Sequence, residues 1–382
     1  MHPQTSSAET LAILRRHGLE LPRILTVAIT GACNLACQHC WVAAGTSAAP
    51  GHVPETTLHT LIAEFAAMGG AGLRFTGGEP LRHPGWLELI RAARAAGFPN
   101  IALQTNAMLF TDRDVAALFE LDFPGLTLQI SLDGASAPAH DRVRGVGAFA
   151  GALTGITRLI DGGLGPRLSL FFTEMRHNLG EFPALLELAN ARGIRSVTSG
   201  TIVRCGRAGE GSAVEPPTPA HYREVLDRYA SDSRFRELYR RIGTMAALEW
   251  QSASIRAECC TFVENPYLTP AGRLYPCVLL HADEYSVPGV FEKGLLAAFA
   301  EGARRWSALR RMSRTRAVAL QECQACPERQ ACGGGCMGRA WGSSGKLMAA
   351  DDRCTARKAV CQQKNAAVTC PDSAGAAQSP SE

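Results

Sequence analysis

Long apolar runs and a strong excess of charge are both absent from this 382-residue sequence. A membrane-spanning helix needs about 20 predominantly apolar residues in a row, and because no such run occurs we expect no membrane association. The net charge is +4, with 39 basic and 35 acidic residues interspersed along the chain. Since nucleic-acid-binding proteins concentrate basic residues on one face, this balance argues against a nucleic-acid partner.

An export signal is also lacking. Glu9 precedes the short apolar run near the N-terminus, and Arg15 and Arg16 follow it, which reverses the order found in secretory signal peptides. We therefore expect a cytoplasmic protein. Disulfides are disfavoured in that compartment, so clustered cysteines there indicate metal or redox chemistry.

Cysteine, by contrast, is abundant. Of 14 cysteines, three lie within residues 33–40, one is Cys205, and ten lie beyond residue 258. The uneven distribution predicts two functional regions, one towards each end of the chain.

Residues 24–203 alternate short apolar runs with amphipathic helical patterns. The predicted strands are 24–29, 73–76, 101–105, 126–132, 168–173 and 196–203, and the helices between them are 55–68, 85–96, 112–119, 149–161 and 179–192. Six βα repeats imply an α/β fold with a parallel sheet. Curled into an open, partial (β/α)6 barrel, the sheet would place its active site at the C-terminal ends of the strands.

The composition divides the chain into five segments. We expect an N-terminal extension (1–22), the barrel (23–203), a bridging segment with helices at 221–239 and 243–250 (204–255), a small irregular cysteine-rich domain (256–364) and a disordered tail (365–382). The cysteine-rich segment shows few periodic stretches, so it needs cross-links such as metal clusters to stay folded.

Cys33, Cys37 and Cys40 form a CxxxCxxC motif directly after the first predicted strand. Three thiolates from one loop can hold three irons of a 4Fe–4S cube, which leaves the fourth iron open to a cofactor or substrate. A structural zinc loop is the alternative, but it would need further ligands from elsewhere in the chain.

This motif resembles the signature of the radical S-adenosylmethionine (SAM) superfamily, with His39 in the position that is usually aromatic. The resemblance implies that the open iron chelates the amine and carboxylate of SAM. It also implies that cleavage of SAM gives a 5′-deoxyadenosyl radical.

Further motifs occur where that family places its SAM contacts. By the resemblance, a GGEP motif binds the methionyl amine, and an arginine contacts the carboxylate. Polar groups at the ends of strands three and four would surround the ribose and methionyl part, and strand six would lie near the adenine. The residues assigned in this way are Gly77, Gly78, Glu79, Pro80, Asn106, Ser131, Asp133 and Arg144, the last preferred over Arg142. Each motif alone could be a tight turn or a solvated charge; their order along the strands favours a cofactor site.

The C-terminal cysteines follow a seven-cysteine pattern. It consists of Cys260-x11-Gly272-x4-Cys277, Cys323-x2-Cys326-x5-Cys332-x3-Cys336 and Cys354. The pattern resembles the SPASM domain, which adds two auxiliary 4Fe–4S clusters to radical SAM enzymes. By that resemblance the outer cluster is held by Cys323, Cys326, Cys332 and Cys354, and the inner one by Cys260, Cys277 and Cys336. Two structural zinc sites are the alternative.

The fourth ligand of the inner cluster stays open. The choices are Cys259, which adjoins Cys260, the more distant Cys205, or no protein ligand, in which case an open iron could bind substrate. Cys361 and Cys370 lie beyond the motif and are expected not to be ligands. In total the sequence predicts SAM and three 4Fe–4S clusters as cofactors.

The resemblance implies a radical SAM oxidoreductase that oxidatively modifies a peptide or protein by hydrogen abstraction. Tetrapyrrole side-chain modification is the alternative among enzymes, since residues 332–340 also resemble haem-pathway enzymes, and a non-catalytic electron carrier is a third reading. Sulfatase-maturing members have an aspartate after the cysteine matching Cys277; Val278 stands there in this chain, which argues against formylglycine formation. No catalytic base can be assigned, and Tyr275 and Glu174 are candidate proton donors with a structural role as the alternative.

About 22 residues precede the first predicted strand, which is too few for the leader-peptide-binding domain of many peptide maturases. We therefore expect either a separate peptide-binding protein or a small-molecule substrate. An external donor such as flavodoxin or ferredoxin would supply electrons.

Overall fold

The structure is a computed structural model, and it describes residues 6–45, 51–209, 213–252 and 263–368. Cys259, Cys260 and Cys370 lie outside the described residues, as does most of the predicted tail. Within those ranges, no helix has both the length and the apolar content needed to cross a bilayer.

In the described part of the chain nine strands form one sheet, in the spatial order β7-β6-β5-β4-β3-β2-β1-β8-β9. The strands are β1 (Ile24–Ala28), β2 (Gly72–Thr76), β3 (Asn100–Thr105), β4 (Leu126–Ser131), β5 (Leu168–Glu174), β6 (Ser196–Thr201), β7 (Gly243–Thr244), β8 (Tyr267–Leu268) and β9 (Leu274–Tyr275). Every neighbouring pair is parallel except β8 and β9. The six predicted strands are confirmed as β1 to β6.

Side chains alternate between the two faces of the barrel wall. Along β4, Leu126, Leu128 and Ile130 are buried in the hydrophobic core, while Gln129 and Ser131 line a cavity on the inner side. Because successive residues of a strand point to opposite faces, one apolar set packs against the helices and one polar set faces inward.

The helices cover both the barrel and the C-terminal region. They are α1 (Ser7–Arg16), α2 (Glu55–Ala67), α3 (Trp86–Ala95), α4 (Asp112–Glu120), α5 (Ala137–Arg144), α6 (Ala148–Asp161), α7 (Phe182–Ala191), α8 (Pro219–Ser231), α9 (Ser233–Ile242), α10 (Ala246–Ser252), α11 (Val290–Lys293), α12 (Leu295–Ala319), α13 (Gln321–Gln324), α14 (Arg329–Cys332), α15 (Met337–Ser344) and α16 (Cys354–Val368), with 3₁₀ turns at Pro80–Arg82, Gly165–Arg167, Leu179–Glu181, Gly206–Ala208 and Asp283–Tyr285.

Two predicted helices differ from the structure. The stretch 221–239 is split at Asp232, whose carboxylate accepts a hydrogen bond from the amide of Phe235 at 2.9 Å and so starts a new helix, α9. The stretch 243–250 begins as the short edge strand β7 and becomes helical only at Ala246.

The 25-residue helix α12 inside the cysteine-rich region was not predicted from the sequence. Its buried face includes Arg310 and Arg316, which interrupt the apolar period that marks a helix. Arg310 donates to the carbonyl of Gly18 at 2.6 Å, and the fully buried Arg316 donates to the carbonyl of Gly334 at 2.8 Å. Charged side chains here satisfy buried carbonyls, so α12 ties the N-terminal extension to the cysteine-rich region.

The C-terminal region contacts both edges of the open barrel. On one edge, β8 pairs with β1. On the other, the buried Arg339 donates to the carbonyls of Thr201 and Ile202 at 3.0 and 2.6 Å and forms a bidentate ion pair with Asp352, both contacts at 2.7 Å. These contacts place the C-terminal region over the C-terminal ends of the strands.

Candidate functional site

A cavity of about 350 Å³ lies at the C-terminal ends of the barrel strands. The loop after β1, the ends of β2 to β6, and Val278 and Leu279 of the C-terminal region form its walls. Its volume is within the range of roughly 300–1,000 Å³ that is usual for small-molecule sites.

The three cysteines of the CxxxCxxC motif all line this cavity. Backbone amides donate to two of the sulfurs, Leu35 to Cys33 Sγ at 3.4 Å and Ala44 to Cys40 Sγ at 3.3 Å. Burial raises the pKa of the Cys33 thiol to about 12, and the Leu35 amide opposes that shift. Amide donors around thiolate sulfurs are a typical second shell of iron–sulfur sites.

Residues 205–207 hold the backbone of this loop, and no sequence motif predicted that role. Arg207 donates to the carbonyl of Cys37 at 2.8 Å and to that of Ala44 at 2.6 Å. Gly206 has φ +57°, and a Cβ there would lie 2.5 Å from the carbonyl oxygen of Cys40. Cys205 itself donates to the carbonyl of Trp41 at 3.4 Å. These contacts join segments about 165 residues apart, and no local pattern signals them.

The glycines of the GGEP motif let β2 end against the cysteine loop. A Cβ on Gly77 would come within 2.3 Å of the carbonyl oxygen of Thr30, and one on Gly78 within 2.3 Å of that of Ala32. The amide of Gly78 donates to Thr30 at 2.8 Å. Close approach between backbones therefore requires glycine at both positions.

Glu79 is a buried carboxylate held by neutral donors. Its oxygens accept from the Thr105 hydroxyl at 2.6 Å, the Asn106 amide at 2.8 Å and the Leu81 amide at 3.2 Å. Burial raises the pKa of Glu79 to about 7. A carboxylate in such surroundings favours a cationic ligand, since an added positive charge would stabilise its ionised form.

Polar side chains at the ends of β3 and β4 also line the cavity, as expected. Asn106 donates to the Asn34 side chain at 2.8 Å, which connects the end of β3 to the cysteine loop. Ser131 lies on the inner wall at the end of β4.

Arg144 lines the cavity, whereas Arg142 is exposed. The Nε of Arg144 donates to Asp133 Oδ2 at 2.6 Å, and His39 Nε2 lies 3.2 Å from the same oxygen. Burial alone would raise the pKa of Asp133, but the guanidinium of Arg144 and then His39 hold it well below its usual range. Asp133 is therefore a buried counter-ion that orients Arg144 and does not itself line the cavity; nor does Pro80, which starts a 3₁₀ turn.

A second cavity, of about 530 Å³, lies in the C-terminal region. Seven cysteines line it: Cys277, Cys323, Cys326, Cys332, Cys336, Cys354 and Cys361. The structure thus brings together the six described cysteines that the sequence assigns to auxiliary clusters, and it adds Cys361. It does not bring Cys205 to this cavity, and Cys260 lies outside the described residues.

Four of these cysteines form an outer quartet: Cys323, Cys326, Cys332 and Cys354. Burial raises the pKa of Cys323, and the neighbouring thiols of Cys332, Cys354 and Cys326 raise it further. Arg357 donates to Cys332 Sγ at 3.5 Å. These four thiols, which line one cavity, are those that the sequence pattern assigns to the outer cluster.

The two remaining predicted ligands are oriented by backbone contacts. The amide of Leu279 donates to Cys277 Sγ at 3.4 Å, and the amide of Cys336 donates to Asp351 Oδ2 at 2.8 Å. Basic side chains at the wall (Arg329, Arg353, Arg357, Lys358) would balance the negative charge of thiolates.

Comparison with known proteins identifies the barrel. Residues 27–189 match the Radical SAM superfamily. The matched residues run from β1 to α7 of the barrel. It is 28% identical to the AdoMet-dependent heme synthase of Oleidesulfovibrio alaskensis over 352 residues, 87% of each chain, and 29% identical to the mycofactocin maturase MftC of Mycobacterium ulcerans over 334 residues, 84% of each.

Two solved structures share the fold. The structure of anSMEcpe with bound AdoMet matches with a TM-score of 0.70 at 14% identity, covering 91% of this chain and 98% of that one. Streptococcus suis SuiB bound to its precursor peptide SuiA matches with a TM-score of 0.66 at 16% identity, covering 93% and 79%. The likeness confirms the predicted open partial barrel.

The two candidate proton donors, Glu174 and Tyr275, do not line the cavity of about 350 Å³ at the ends of the barrel strands. Glu174 is fully buried and accepts from Ser199, Thr201 and Tyr222 at 2.6, 2.9 and 2.7 Å. Tyr275 donates to Asp283 at 2.5 Å, and burial raises the pKa of its hydroxyl. Both side chains are engaged in structural hydrogen bonds, and neither lines the cavity.

In the described ranges no three His, Cys, Asp or Glu side chains converge as they do around a single metal ion. Apart from Cys205, the described cysteines border two cavities, one in the barrel and one in the C-terminal region. Three loop thiols, two of them with amide donors, lie beside a buried carboxylate and an arginine, and this donor set fits a 4Fe–4S cluster with SAM.

Proposed function

We propose that this chain binds SAM beside a 4Fe–4S cluster on Cys33, Cys37 and Cys40 and uses the resulting radical chemistry to modify a peptide or protein oxidatively. The main support for this proposal is that one cavity is lined by these three thiols, Glu79 and Arg144. These thiols would hold a cluster that, when bound, would supply one electron for the cleavage of SAM to methionine and a 5′-deoxyadenosyl radical.

The residues of the cavity would position SAM. Glu79 would accept hydrogen bonds from the methionyl amine, and Arg144, already oriented by Asp133, would face the carboxylate. Asn106 and Ser131 would contact the methionyl and ribose part. Together they fix the sulfonium relative to the three thiols.

The substrate would enter where the C-terminal region covers the barrel. Hydrogen abstraction gives 5′-deoxyadenosine, and the substrate then loses one electron and one proton, so that two hydrogens leave in total. The cysteine-lined cavity of the C-terminal region would hold the iron–sulfur cluster that takes up this electron. Val278 lines this cavity with an apolar side chain, which supports the expectation that formylglycine formation is not the reaction.

A peptide substrate is supported by two comparisons, the relative named as a mycofactocin maturase and the fold likeness to a precursor-peptide complex. We propose in addition that a separate protein presents the peptide and that a flavodoxin or ferredoxin in the cytoplasm donates electrons.

Tetrapyrrole modification is the second candidate, because relatives named as heme synthases match most of the chain. The stretch 332–340 that suggested it contains Arg339, whose guanidinium is occupied by Thr201, Ile202 and Asp352. Part of that resemblance therefore reflects the anchoring of the C-terminal region and not contact with a substrate.

The test is anaerobic incubation of the reconstituted protein with SAM, dithionite and a short peptide encoded beside the gene, followed by intact-mass spectrometry. A loss of about two daltons, from the two hydrogens removed, would support oxidative peptide modification. An unchanged peptide with release of 5′-deoxyadenosine would contradict it, and a porphyrin substrate would then be tested in the same assay.

A further inference from the structure

We infer that Arg74 binds a carboxylate of the substrate inside the barrel, either the C-terminal carboxylate of a peptide or that of an acidic side chain. The inference rests on the proposed function, because it concerns the substrate of the same cavity. The sequence motifs assign no role to Arg74, and the SAM contacts proposed for this cavity do not include it.

Arg74 lies in the middle of β2 and on the inner side of the barrel wall. Its chain neighbours Leu73 and Phe75 are buried in the hydrophobic core, whereas Arg74 lines the cavity of about 350 Å³. Since β2 ends at Thr76, two residues later, Arg74 lies about 7 Å deeper than the end of the strand. The residues proposed to bind SAM all lie at or beyond the ends of their strands. A ligand group that reaches Arg74 therefore extends below the SAM contacts.

The guanidinium of Arg74 has no counter-ion in the described part of the chain. Its one side-chain hydrogen bond there is to Thr26 Oγ1 at 3.4 Å, longer than the usual range of about 2.7–3.2 Å. Ala102, its partner in register on β3, carries no polar group. Burial lowers the pKa of Arg74, and no neighbouring carboxylate offsets that shift. A guanidinium has five N–H donors, so most of them are left for a ligand.

Two other arginines line the same cavity, and the protein itself occupies both of them. Arg144 is paired with Asp133 at 2.6 Å. Arg207 donates to the carbonyls of Cys37 and Ala44. Arg74 differs from both because its donors lack such acceptors.

The carboxylate that lines the cavity, Glu79, does not serve as the partner of Arg74. It accepts hydrogen bonds from Thr105, Asn106 and Leu81, and no ion pair joins it to Arg74. In the proposed function Glu79 receives the amine of SAM. Arg74 therefore remains a cation within the barrel for which a ligand supplies the anion.

The chemistry of arginine selects a carboxylate as that anion. Burying a charge without a partner is costly, so a bound anion would be strongly favoured at this place. The planar guanidinium matches a carboxylate with two parallel hydrogen bonds. In an unmodified peptide the anionic groups are carboxylates, at the C-terminus and on aspartate and glutamate.

A carboxylate held at Arg74 would anchor one point of the substrate below SAM. The carbon that loses hydrogen would then lie between this anchor and the ends of the strands. Such an anchor would discriminate against peptides in which the same carboxylate is replaced by an amide, since the amide brings no charge to Arg74.

The experiment uses the full chain with its clusters reconstituted and SAM bound, without a reductant, so that no turnover occurs. Three probes are titrated and followed by saturation-transfer NMR. N-acetylglycine carries only a C-terminal carboxylate, the α-amide of N-acetylaspartic acid carries only a side-chain carboxylate, and N-acetylglycinamide carries neither.

The wild type should bind at least one carboxylate probe more tightly than N-acetylglycinamide, and the probe that binds identifies the source of the carboxylate. Arg74→Gln should weaken that binding by about 10- to 150-fold, as expected for the loss of a charged hydrogen-bonding group. Arg142→Gln, which changes an exposed arginine, is the matched control and should bind the probes as the wild type does.

Urea unfolding of the cluster-free protein tests whether Arg74 has a partner within the protein. Arg74→Met keeps an apolar side chain of similar length and removes the charge, so the midpoint of unfolding should stay the same or rise. A loss of stability as large as that of Arg144→Met would overturn the inference, because Arg74 would then be paired internally.

Equal binding of the carboxylate probes to the wild type and Arg74→Gln, or binding of neither probe to the wild type, would also overturn the inference. So would weaker SAM binding in Arg74→Gln, because Arg74 would then contact SAM. The proposed function is tested separately by turnover. A protein that binds a carboxylate at Arg74 but leaves the peptide unmodified would contradict that function and support this site.

Discussion

Replacing Glu79 with glutamine should change how many protons are exchanged when SAM binds. Burial raises the pKa of Glu79 to about 7, so in the free protein at pH 6 about 90% of this side chain is protonated. Bound SAM carries positive charge to the carboxylate and favours its ionised form. SAM binding at pH 6 should therefore release about 0.9 proton from Glu79, and well above pH 7 this contribution should vanish.

The same substitution should weaken SAM binding. A hydrogen bond to a charged group contributes about 1.5–3 kcal/mol, which corresponds to a loss of about 10- to 150-fold in affinity. The amide can accept with only one oxygen, whereas Glu79 accepts from Thr105, Asn106 and Leu81, so one backbone or hydroxyl donor also loses its partner.

The assay is anaerobic titration calorimetry of the cluster-loaded protein at pH 6 and pH 8 in buffers of different ionisation enthalpy. The difference in proton release between wild type and Glu79→Gln isolates this carboxylate from the amine of SAM. Equal proton release in the two proteins at pH 6, with equal affinity, would refute the assignment of Glu79.

The linked effect on folding has a definite sign. The native pKa of Glu79 lies above the ordinary value of 4.5, so its contribution to stability is present below pH 4.5 and is lost as the pH rises through 7. The loss amounts to about 3 kcal/mol for a shift of this size. Urea unfolding of the cluster-free protein should show this decline with pH, and Glu79→Gln should lack it.

Two further substitutions test the packing of the site. Arg144→Met should destabilise the cluster-free protein by about 3–5 kcal/mol because Asp133 is left as a buried, unpaired charge. Adding Asp133→Asn should restore part of the lost stability. Urea unfolding measures both effects, and an unchanged stability of Arg144→Met would contradict the buried ion pair. Gly78→Ala should displace the cysteine loop, because its Cβ would lie 2.3 Å from the carbonyl oxygen of Ala32, and it should therefore lower the amount of bound iron. Gly180→Ala is the control; a Cβ there would meet no atom within 4 Å, so the bound iron should not change. Equal iron content in these two alanine variants would contradict the close approach.

The barrel could be predicted because its signals are local. Each of β1 to β5 is a short, largely apolar run followed by a helix with an apolar face, and glycines end several of those helices. The helix α12 could not be predicted in the same way, since Arg310 and Arg316 occupy its buried face. Their burial depends on carbonyls far away in sequence, which no window of residues contains.

The candidate site divides in the same manner. Cysteine spacing and the GGEP motif predicted the thiols and Glu79 because those residues are close in sequence. Three other features depend on tertiary packing. Arg207 holds the cysteine loop, Arg339 anchors the C-terminal region to the barrel, and Cys361 lines the cavity of about 530 Å³. The sequence assigned Gly78 to the cofactor motif, but not its close packing against the backbone of the cysteine loop, which depends on the tertiary structure.

The most direct test of the account is SAM cleavage without any added substrate. Wild-type protein and Cys37→Ala would be reconstituted anaerobically and incubated with SAM and dithionite, and 5′-deoxyadenosine would be quantified by chromatography. The account predicts 5′-deoxyadenosine from the wild type and none above background from Cys37→Ala, because the variant lacks one of the three thiols that line the cavity. Equal amounts from both proteins, or none from a wild type that holds its full iron content, would contradict it.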